Sequence, residues 1–299
     1  MNNEINKVLF IVNKFSGGGF RPEVEGRIID VCEKQDVECT IEFTQSRGHA
    51  TTLAREAVDK KFKMVIAVGG DGTVNEVARG LLHTDVPMGI IPKGSGNGLA
   101  RHLGIPMKVL PAIKSVFNSQ VIVMDTFRMN GKLSLNVSGI GFDGHIANLF
   151  AGNKKRGLKG YTKITLKEFN QFKEFEVNIL TEGQSFKRKA FVIAIANSSQ
   201  YGNNARIAPA ASVTDELLHV NILKKVPPYR FDFVYAFFNG TIDRTSYCEM
   251  MEVKEMEIAA SQPLPFHVDG EPCGHADRFN ISIQPRSLQI LVPSQSTHV

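Results

Sequence analysis

The sequence predicts an α/β chain in two parts: a Rossmann-like parallel α/β domain over residues 1–120, and an antiparallel β-sandwich domain with a few helices over residues 121–299. Three observations lead there. Residues 7–118 alternate short, near-continuous apolar runs with apolar residues at helical spacing, the pattern of a parallel sheet covered by helices on both faces. Beyond Gln120 strand-like alternation takes over. The length of 299 residues suits roughly two domains, and no Gly/Ser/Pro-rich linker divides them. They are therefore expected to meet closely, with the last strand or strands packing back on the first domain.

The elements follow in order. Val8-Leu9-Phe10-Ile11-Val12 is a buried-strand run, and Val24, Ile28, Val31 and Cys32 after it fall on one helix face. The strand Val37–Phe43 is followed by Ala50, Leu53, Ala54, Ala57 and Val58 at helical spacing. Met64–Val68 is followed by Val74, Val77, Ala78, Leu81 and Leu82, and Met88–Ile91 by a helix that Gly104 and Pro106 end. In the second part Leu133, Leu135 and Val137 alternate, Phe191–Ala196 is apolar throughout, and Leu288, Ile290 and Val292 alternate again. Helices are expected there only over about 142–170 and about 228–239.

Composition excludes several classes. With 42% hydrophobic and 22% charged residues, the chain can bury a core and is not disordered. No apolar run reaches the ~18–20 residues that span a bilayer, and Met1-Asn2-Asn3-Glu4 leads into a strand without a signal-peptide pattern. A formal charge of +5 is too small to indicate nucleic acid. Cys32, Cys39, Cys248 and Cys273 show no C-x-x-C spacing and read as core residues of a reducing, cytoplasmic compartment.

The strongest chemical signal is Gly69-Gly70-Asp71-Gly72-Thr73, directly after a strand. Glycines let backbone N–H groups approach an anion, and a helix N-terminus adds positive potential. Thr73-Val74-Asn75-Glu76 matches a capping box, with Thr73 as cap and Glu76 reaching back. A carboxylate at Asp71, beside a phosphate, makes sense if it binds Mg²⁺ or takes a proton from an attacking hydroxyl. A bare Gly-Gly-X-Gly is more simply a tight strand–helix turn, but two further polar glycine loops accompany it. Lys93-Gly94-Ser95-Gly96-Asn97-Gly98 and Asn13-Lys14-Phe15-Ser16-Gly17-Gly18-Gly19 also follow strands, so all three would emerge where open α/β sheets bind ligands. No G-x-x-x-x-G-K-[ST] is present. Gly139-Ile140-Gly141-Phe142-Asp143-Gly144 fits G-x-G-x-x-G but lacks the acidic residue ~20 positions on, and reads as a tight turn of the second domain.

Gly69-Gly70-Asp71-Gly72-Thr73, then Pro92-Lys93-Gly94-Ser95-Gly96-Asn97 with Ala100-Arg101, then Asp269-Gly270-Glu271 together resemble the bacterial diacylglycerol-kinase-type lipid kinases. Sphingosine and ceramide kinases share that catalytic domain, and NAD kinases and phosphofructokinases are more distant relatives. The resemblance runs from Val8 to Val292. It implies ATP held between the α/β and β-sandwich domains, Mg²⁺, and a lipid hydroxyl as acceptor, diacylglycerol giving phosphatidic acid before any other. By position it assigns nucleotide contacts to Thr44, to Gly69, Gly70, Asp71, Gly72, Thr73, Val74 and Asn75, and to Ser95, with Asn13 and Ser16 as weaker candidates. It places Asn97, Asp125 and Asp269 near the cleft and makes Glu271 the general base, leaving Asp71 to organise metal and phosphate. Ala208–Leu217 matches the family's structural Mg²⁺ loop, Asp215 giving a carboxylate and Ser212 and Leu217 their carbonyls.

There are departures from the family pattern. Asn13-Lys14 stands for Asn-Pro, His49 for Asp, Ser95 for the commoner bacterial Thr and Gly98 for an acidic residue. Asp215-Glu216 stands for Asp-Gly, so the metal loop must turn without glycine, although Glu216 could add a ligand.

A lipid acceptor implies a membrane surface and peripheral contact, on the inner face of the membrane for a cytoplasmic protein. Residues 154–173 carry Lys154, Lys155, Arg156, Lys159, Lys163, Lys167 and Lys173 among Leu158, Tyr161, Ile164, Leu166, Phe169 and Phe172, a basic, partly apolar surface suited to anionic headgroups. A solvated helix face lying on the β domain explains the same residues equally well. No nucleic-acid partner is expected, and a homodimer is compatible with the sequence. His83, His102, His145 and His267 share no spacing and receive no role. The rival functions are a sphingoid-base or ceramide kinase and a nucleotide-binding regulatory protein without turnover. An NAD kinase would not carry the Asp-Gly-Glu and metal-loop arrangement.

Overall fold

The computed structural model describes residues 7–16, 22–151, 165, 167–227 and 229–294. They divide into two compact units, Met1–Thr126 with Pro285–Val299, and Phe127–Gln284. Gly17–Gly19 of the first glycine loop, and Lys154 to Lys163 with Ile164 and Leu166 of the basic stretch, lie outside the described residues.

In the first unit the strands β1 (Lys7–Val12), β2 (Glu38–Phe43), β3 (Met64–Gly69) and β4 (Met88–Pro92) run parallel, joined by α1 (Pro22–Lys34), α2 (His49–Asp59) and α3 (Asp71–Leu81). Helices α4 (Gly98–His102) and α5 (Val109–Val116) follow β4. The spatial order is β2-β1-β3-β4, and the far end of the last strand, β14 (Glu271–Pro293), adds itself parallel to β4 with Ile290 opposite Met88. Strands β3 and β4, and β1 after Lys7, are apolar because helices bury both faces, whereas β2 forms the edge and stays half-exposed. Cys39 sits on that edge, so only Cys32, on the buried face of α1, is a fully buried cysteine. Val24, Ile28, Val31 and Cys32 are the buried residues of α1, as their 3.6-residue spacing requires.

The second unit is an antiparallel β-sandwich. Its main order is β12 (Cys248–Val253), β11 (Leu218–Leu223), β10 (Val192–Ala196), β7 (Val137–Gly141), β13 (Glu255–Val268) and the near end of β14. The hairpin β8 (Phe175–Thr181) and β9 (Gln184–Ala190) pairs with the first half of β13, while β7 pairs with its second half. Register shifts between Ala259 and Leu264 and between Pro265 and His267 bend β13, which lets one strand serve both neighbours. In β10 successive side chains enter different clusters: Ile193 and Ile195 join Phe127, Ile179 and Phe279, and Val192, Ala194 and Ala196 join Phe142, Phe191 and Ile207. With both faces covered, the run Phe191–Ala196 has no polar position.

Strand β5 (Ser119–Met129), β6 (Lys132–Ser134), α6 (Phe142–Ala151) and α7 (Phe231–Asn239) complete the described elements that bear on the site. Helix α7 ends on Gly240 at φ 73°. Phe169 and Phe172 of the basic stretch turn inward against Phe142 and Phe191, with ring centroids 5.0 to 5.7 Å apart, leaving Lys167 and Lys173 exposed. Among the described residues no helix is long and apolar enough to cross a membrane.

Candidate active site

In the first unit the loops after β1, β3 and β4 are bonded to one another. Asn13 donates its backbone N–H to Val68 O at 3.0 Å and its side-chain amide to Thr73 Oγ1 at 3.0 Å, tying the first loop to α3. Ser16 Oγ donates to Asn13 O at 3.0 Å, so it belongs to the same turn. Thr44, at the end of β2, is buried and donates its N–H to Val12 O.

The second and third loops touch through glycine. A Cβ on Gly94 would lie 2.7 Å from Gly70 Cα and 2.7 Å from Asn97 Oδ1, so a side chain there would push the two loops apart. Lys93 N–H donates to Gly69 O at 2.7 Å. Asn97, at φ 52°, exchanges two bonds with Gly94, accepting its N–H at 2.9 Å and donating to its carbonyl at 2.8 Å. The Arg101 guanidinium closes the loop on Gly96 O.

Asp71 connects these parts. Its Oδ2 accepts the N–H of Asn97 and its Oδ1 the N–H of Gly98, each at 3.0 Å. The carboxylate therefore sits on the N-terminal N–H groups of α4, where negative charge is stabilised. Two charge-assisted bonds to the backbone give Asp71 a holding role that sequence reasoning did not identify.

The expected capping box does not form. The cap of α3 is Gly70, with no side-chain bond, because the helix begins at Asp71 and places Thr73 inside its first turn. Thr73 Oγ1 instead receives Asn13, and Gly69 must lack a Cβ to make room for that side chain. Glu76, one turn further on, faces α2 and accepts the N–H groups of Gly48 at 2.8 Å and Ala50 at 3.3 Å. It caps the neighbouring helix, not its own. Gly72 and Val74 lie in the first turn of α3, and Asn75 is buried with its Oδ1 bonded to Arg79 at 2.9 Å. Ser95 is exposed at the tip of its loop. Asp125 is completely buried in β5 and accepts the N–H of Arg286 at 2.7 Å.

In the second unit, Asp269 and Gly270 form a two-residue hairpin loop between β13 and β14, with φ 48° and 80° and Val268 opposite Glu271. Positive φ at both positions is the type I′ turn that an Asp-Gly pair favours. The turn is anchored, because the Asp269 carboxylate accepts Ser134 Oγ at 2.6 Å, Leu135 N at 2.9 Å and Asn136 N at 3.0 Å. Glu271 follows directly and is exposed.

The loop expected to hold Mg²⁺ turns without glycine: Glu216 takes the left-handed conformation at φ 60°. Asp215 Oδ1 accepts the N–H of Leu217 at 3.0 Å, and Oδ2 faces His219 Nε2 at 3.4 Å. Ser212 Oγ accepts the N–H of Thr214 at 3.3 Å. One half-exposed carboxylate with neighbouring carbonyls is an all-oxygen donor set that suits Mg²⁺, which keeps several waters. Among the described residues no three His, Cys, Asp or Glu side chains gather as a metal site.

Residues 7–129 match the diacylglycerol kinase catalytic domain, and residues 136–292 match the YegS C-terminal NAD kinase beta sandwich-like domain. A diacylglycerol kinase of Bacillus subtilis is 26% identical over 97% of this chain and 98% of its own length. A Chromohalobacter salexigens protein named "Probable lipid kinase YegS-like" is 27% identical over 86% of this chain and 84% of its own. The crystal structure of a diacylglycerol kinase from Bacillus anthracis superposes with a TM-score of 0.76 at 22% identity, covering 99% of this chain and 100% of that one, which shows the shared fold. With its catalytic-domain match followed by a sandwich match over more than half its length, the chain belongs to the bacterial diacylglycerol-kinase-type lipid kinase family.

Proposed function

We propose that the protein transfers the γ-phosphoryl group of ATP, taken as its Mg²⁺ complex, to a lipid hydroxyl, with diacylglycerol as acceptor and phosphatidic acid as product. The observation that carries this reading is the interlocked set of glycine loops at the carboxyl ends of β1, β3 and β4. Gly70 and Gly94 let the backbones of the second and third loops meet beside the N-terminus of α3, and glycine-rich backbone at a helix N-terminus is the chemistry of a phosphate site.

Phosphoryl transfer asks chiefly for positioning and charge stabilisation. Asn13 and Thr73 fix the first loop against α3, and Asp71 fixes the third loop against the second. Glu271, presented on its anchored turn, accepts the proton of the acceptor hydroxyl, help that is worth ~10²–10⁴ in rate. Ser212, Asp215 and Leu217 would hold the structural Mg²⁺, whose charge would steady the loop that carries them. A lipid acceptor has to be met at a membrane surface. Helix α7 supports this, since Phe231, Val234, Tyr235 and Phe238 are all exposed at i, i+3, i+4 and i+7, beside exposed Tyr229. Such an apolar stripe with aromatic residues suits the boundary between headgroups and acyl chains.

The test is incubation with γ-labelled ATP, Mg²⁺ and mixed micelles carrying diacylglycerol, sphingosine, ceramide or no lipid. Label in phosphatidic acid is the expected result. Label only in the sphingosine or ceramide product moves the function to that kinase class, and ATP binding without label anywhere makes the chain a nucleotide-binding regulator. Cosedimentation with phosphatidylglycerol vesicles is expected to weaken in the Phe231→Ser, Phe238→Ser double variant. Unchanged vesicle binding, with a dimer lost in that variant, would assign the stripe to a second copy of the chain.

A further inference from the structure

The Gly139–Gly144 run reads in the sequence as a tight turn, yet each of its glycines is required by a contact. A Cβ on Gly139 would lie 1.8 Å from Asp143 Oδ2, and one on Gly144 would lie 2.5 Å from the backbones of Pro265 and Phe266. Gly141 stands at φ 97°. The run thus admits the Asp143 carboxylate beside β7 and lets α6 approach the backbone of β13.

Asp143 Oδ2 accepts the Tyr201 hydroxyl at 2.8 Å and faces His267 Nε2 at 3.2 Å, while Oδ1 accepts the N–H of Gly144 at 2.7 Å. His267 is buried, and its other ring nitrogen, Nδ1, accepts the N–H of Gly270 at 3.1 Å. An acceptor at Nδ1 requires the proton on Nε2, and a carboxylate opposite Nε2 holds it there. Gly270 is the residue before Glu271. From the same helix Asn148 donates to Phe266 O at 3.4 Å and Gly274 O at 3.3 Å, and accepts the N–H of Gly274 at 3.1 Å. Helix α6 therefore holds the strand that enters the turn and the strand that leaves it.

We propose that Asp143, His267 and Tyr201 form a hydrogen-bond relay that orients the Glu271 turn, so that Asp143 and His267 are positioning residues for phosphoryl transfer; this rests on the reading of Glu271 as the base. Asp143 sets the tautomer of His267, and the tautomer provides the acceptor under Gly270 N–H. That bond, with the Asp269 anchor on the other side, fixes the backbone from which Glu271 projects.

Asp143→Asn preserves shape but turns an amide donor toward Nε2, which drives the ring proton to Nδ1 and sets it against Gly270 N–H. Using whichever lipid takes label, kcat is expected to fall roughly 10–100-fold with the KM for ATP little changed. The same substitution in a Glu271→Gln background is expected to add no further loss. Nitrogen-15 NMR should show the proton of His267 on Nε2 in the parent chain and on Nδ1 in Asp143→Asn. Wild-type turnover in Asp143→Asn while Glu271→Gln is impaired, or losses that multiply in the double variant, would overturn the relay alone. Wild-type turnover in Glu271→Gln would instead remove the reading beneath it, and the relay with it. Should Asp143→Asn not fold, His267→Asn, which keeps an acceptor near the Nδ1 position, is expected to outrun His267→Gln; equal rates would overturn the proposal.

Discussion

Asp71 shows how much a single side chain can do once its two oxygens are placed. Each accepts a backbone N–H of the Asn97–Gly98 segment at 3.0 Å. In Asp71→Asn one of these N–H groups would face an amide donor, so the Lys93–Gly98 loop should lose its register against α3. The expected outcome is a fall of tenfold or more in kcat/KM for ATP, with a stability loss of about 1–3 kcal/mol, the cost of breaking a bond to a charged group. Steady-state kinetics and a urea melt check both, and unchanged turnover would remove Asp71 from the site. The sequence singled this aspartate out by its place in Gly69–Thr73; that it bonds to residues 26 and 27 positions away was not legible, because the partners are main-chain groups common to every sequence.

Cysteines give a second test at this scale. Burial pushes the Cys32 thiol up to about 12, with Cys39 beside it adding to the shift, and burial likewise pushes Cys248 up to about 12, with Asp243 and Glu249 adding. Only thiolate reacts, so iodoacetamide at pH 8 should label Cys273 well before Cys32 and Cys248 in the native chain. Equal labelling of all of them without denaturant would contradict this.

At the scale of elements, α2 and α3 pack close enough that one methyl group decides the sign of a substitution. A Cβ on Gly80 would lie 2.6 Å from Ala54 Cβ and 2.7 Å from Thr51 O. Helix propensity alone says that Gly80→Ala gains about 1 kcal/mol. The backbone contact says that α2 and α3 must separate, at a cost of about 1–3 kcal/mol that outweighs the gain. A lower melting temperature is the expected result, and a higher one would mean that the helices can shift freely. Periodicity made the buried faces of α1, α2 and α3 readable, since Val24, Ile28, Leu53, Ala57, Val77 and Leu81 sit where a 3.6-residue repeat puts them. It could not show that Glu76 caps α2. A Thr-x-x-Glu pattern describes one helix in isolation, and the start of α3 three residues earlier turned that glutamate toward a neighbour. An Asp-Gly pair carries type I′ turn chemistry in any sequence, whereas the anchoring of 269–270 by Ser134, Leu135 and Asn136 required the fold.

At the scale of the molecule, the first unit is discontinuous: Met1–Thr126 is completed by the segment from Pro285 onward. That segment supplies Leu288, Ile290 and Val292, all completely or almost completely buried, together with Ser287, whose hydroxyl bonds to Thr126 at 2.8 Å. A fragment ending at Thr126 would expose the edge of β4 and the groups of Asp125 and Thr126 that these residues cover. It is expected to lack a cooperative thermal transition, and addition of a synthetic 285–294 peptide should restore one; a well-folded fragment on its own would refute the dependence. The two-part architecture was visible as the change of pattern near Gln120, and the alternating Leu288, Ile290 and Val292 marked a strand. The sequence predicts that the last strand packs back on the first domain, but the alternation alone does not single out Met88 as its neighbour.

This interrupted layout bears on how the chain is made. A ribosome delivers the loops around Asp71 and Asn97 early, but the strand that finishes their scaffold emerges only after Phe127–Gln284 has been synthesised. During that interval the nascent amino-terminal half has an open sheet edge at β4, so maturation of the first unit must wait on the later half of translation, and chaperone protection of the exposed edge would matter most in that window.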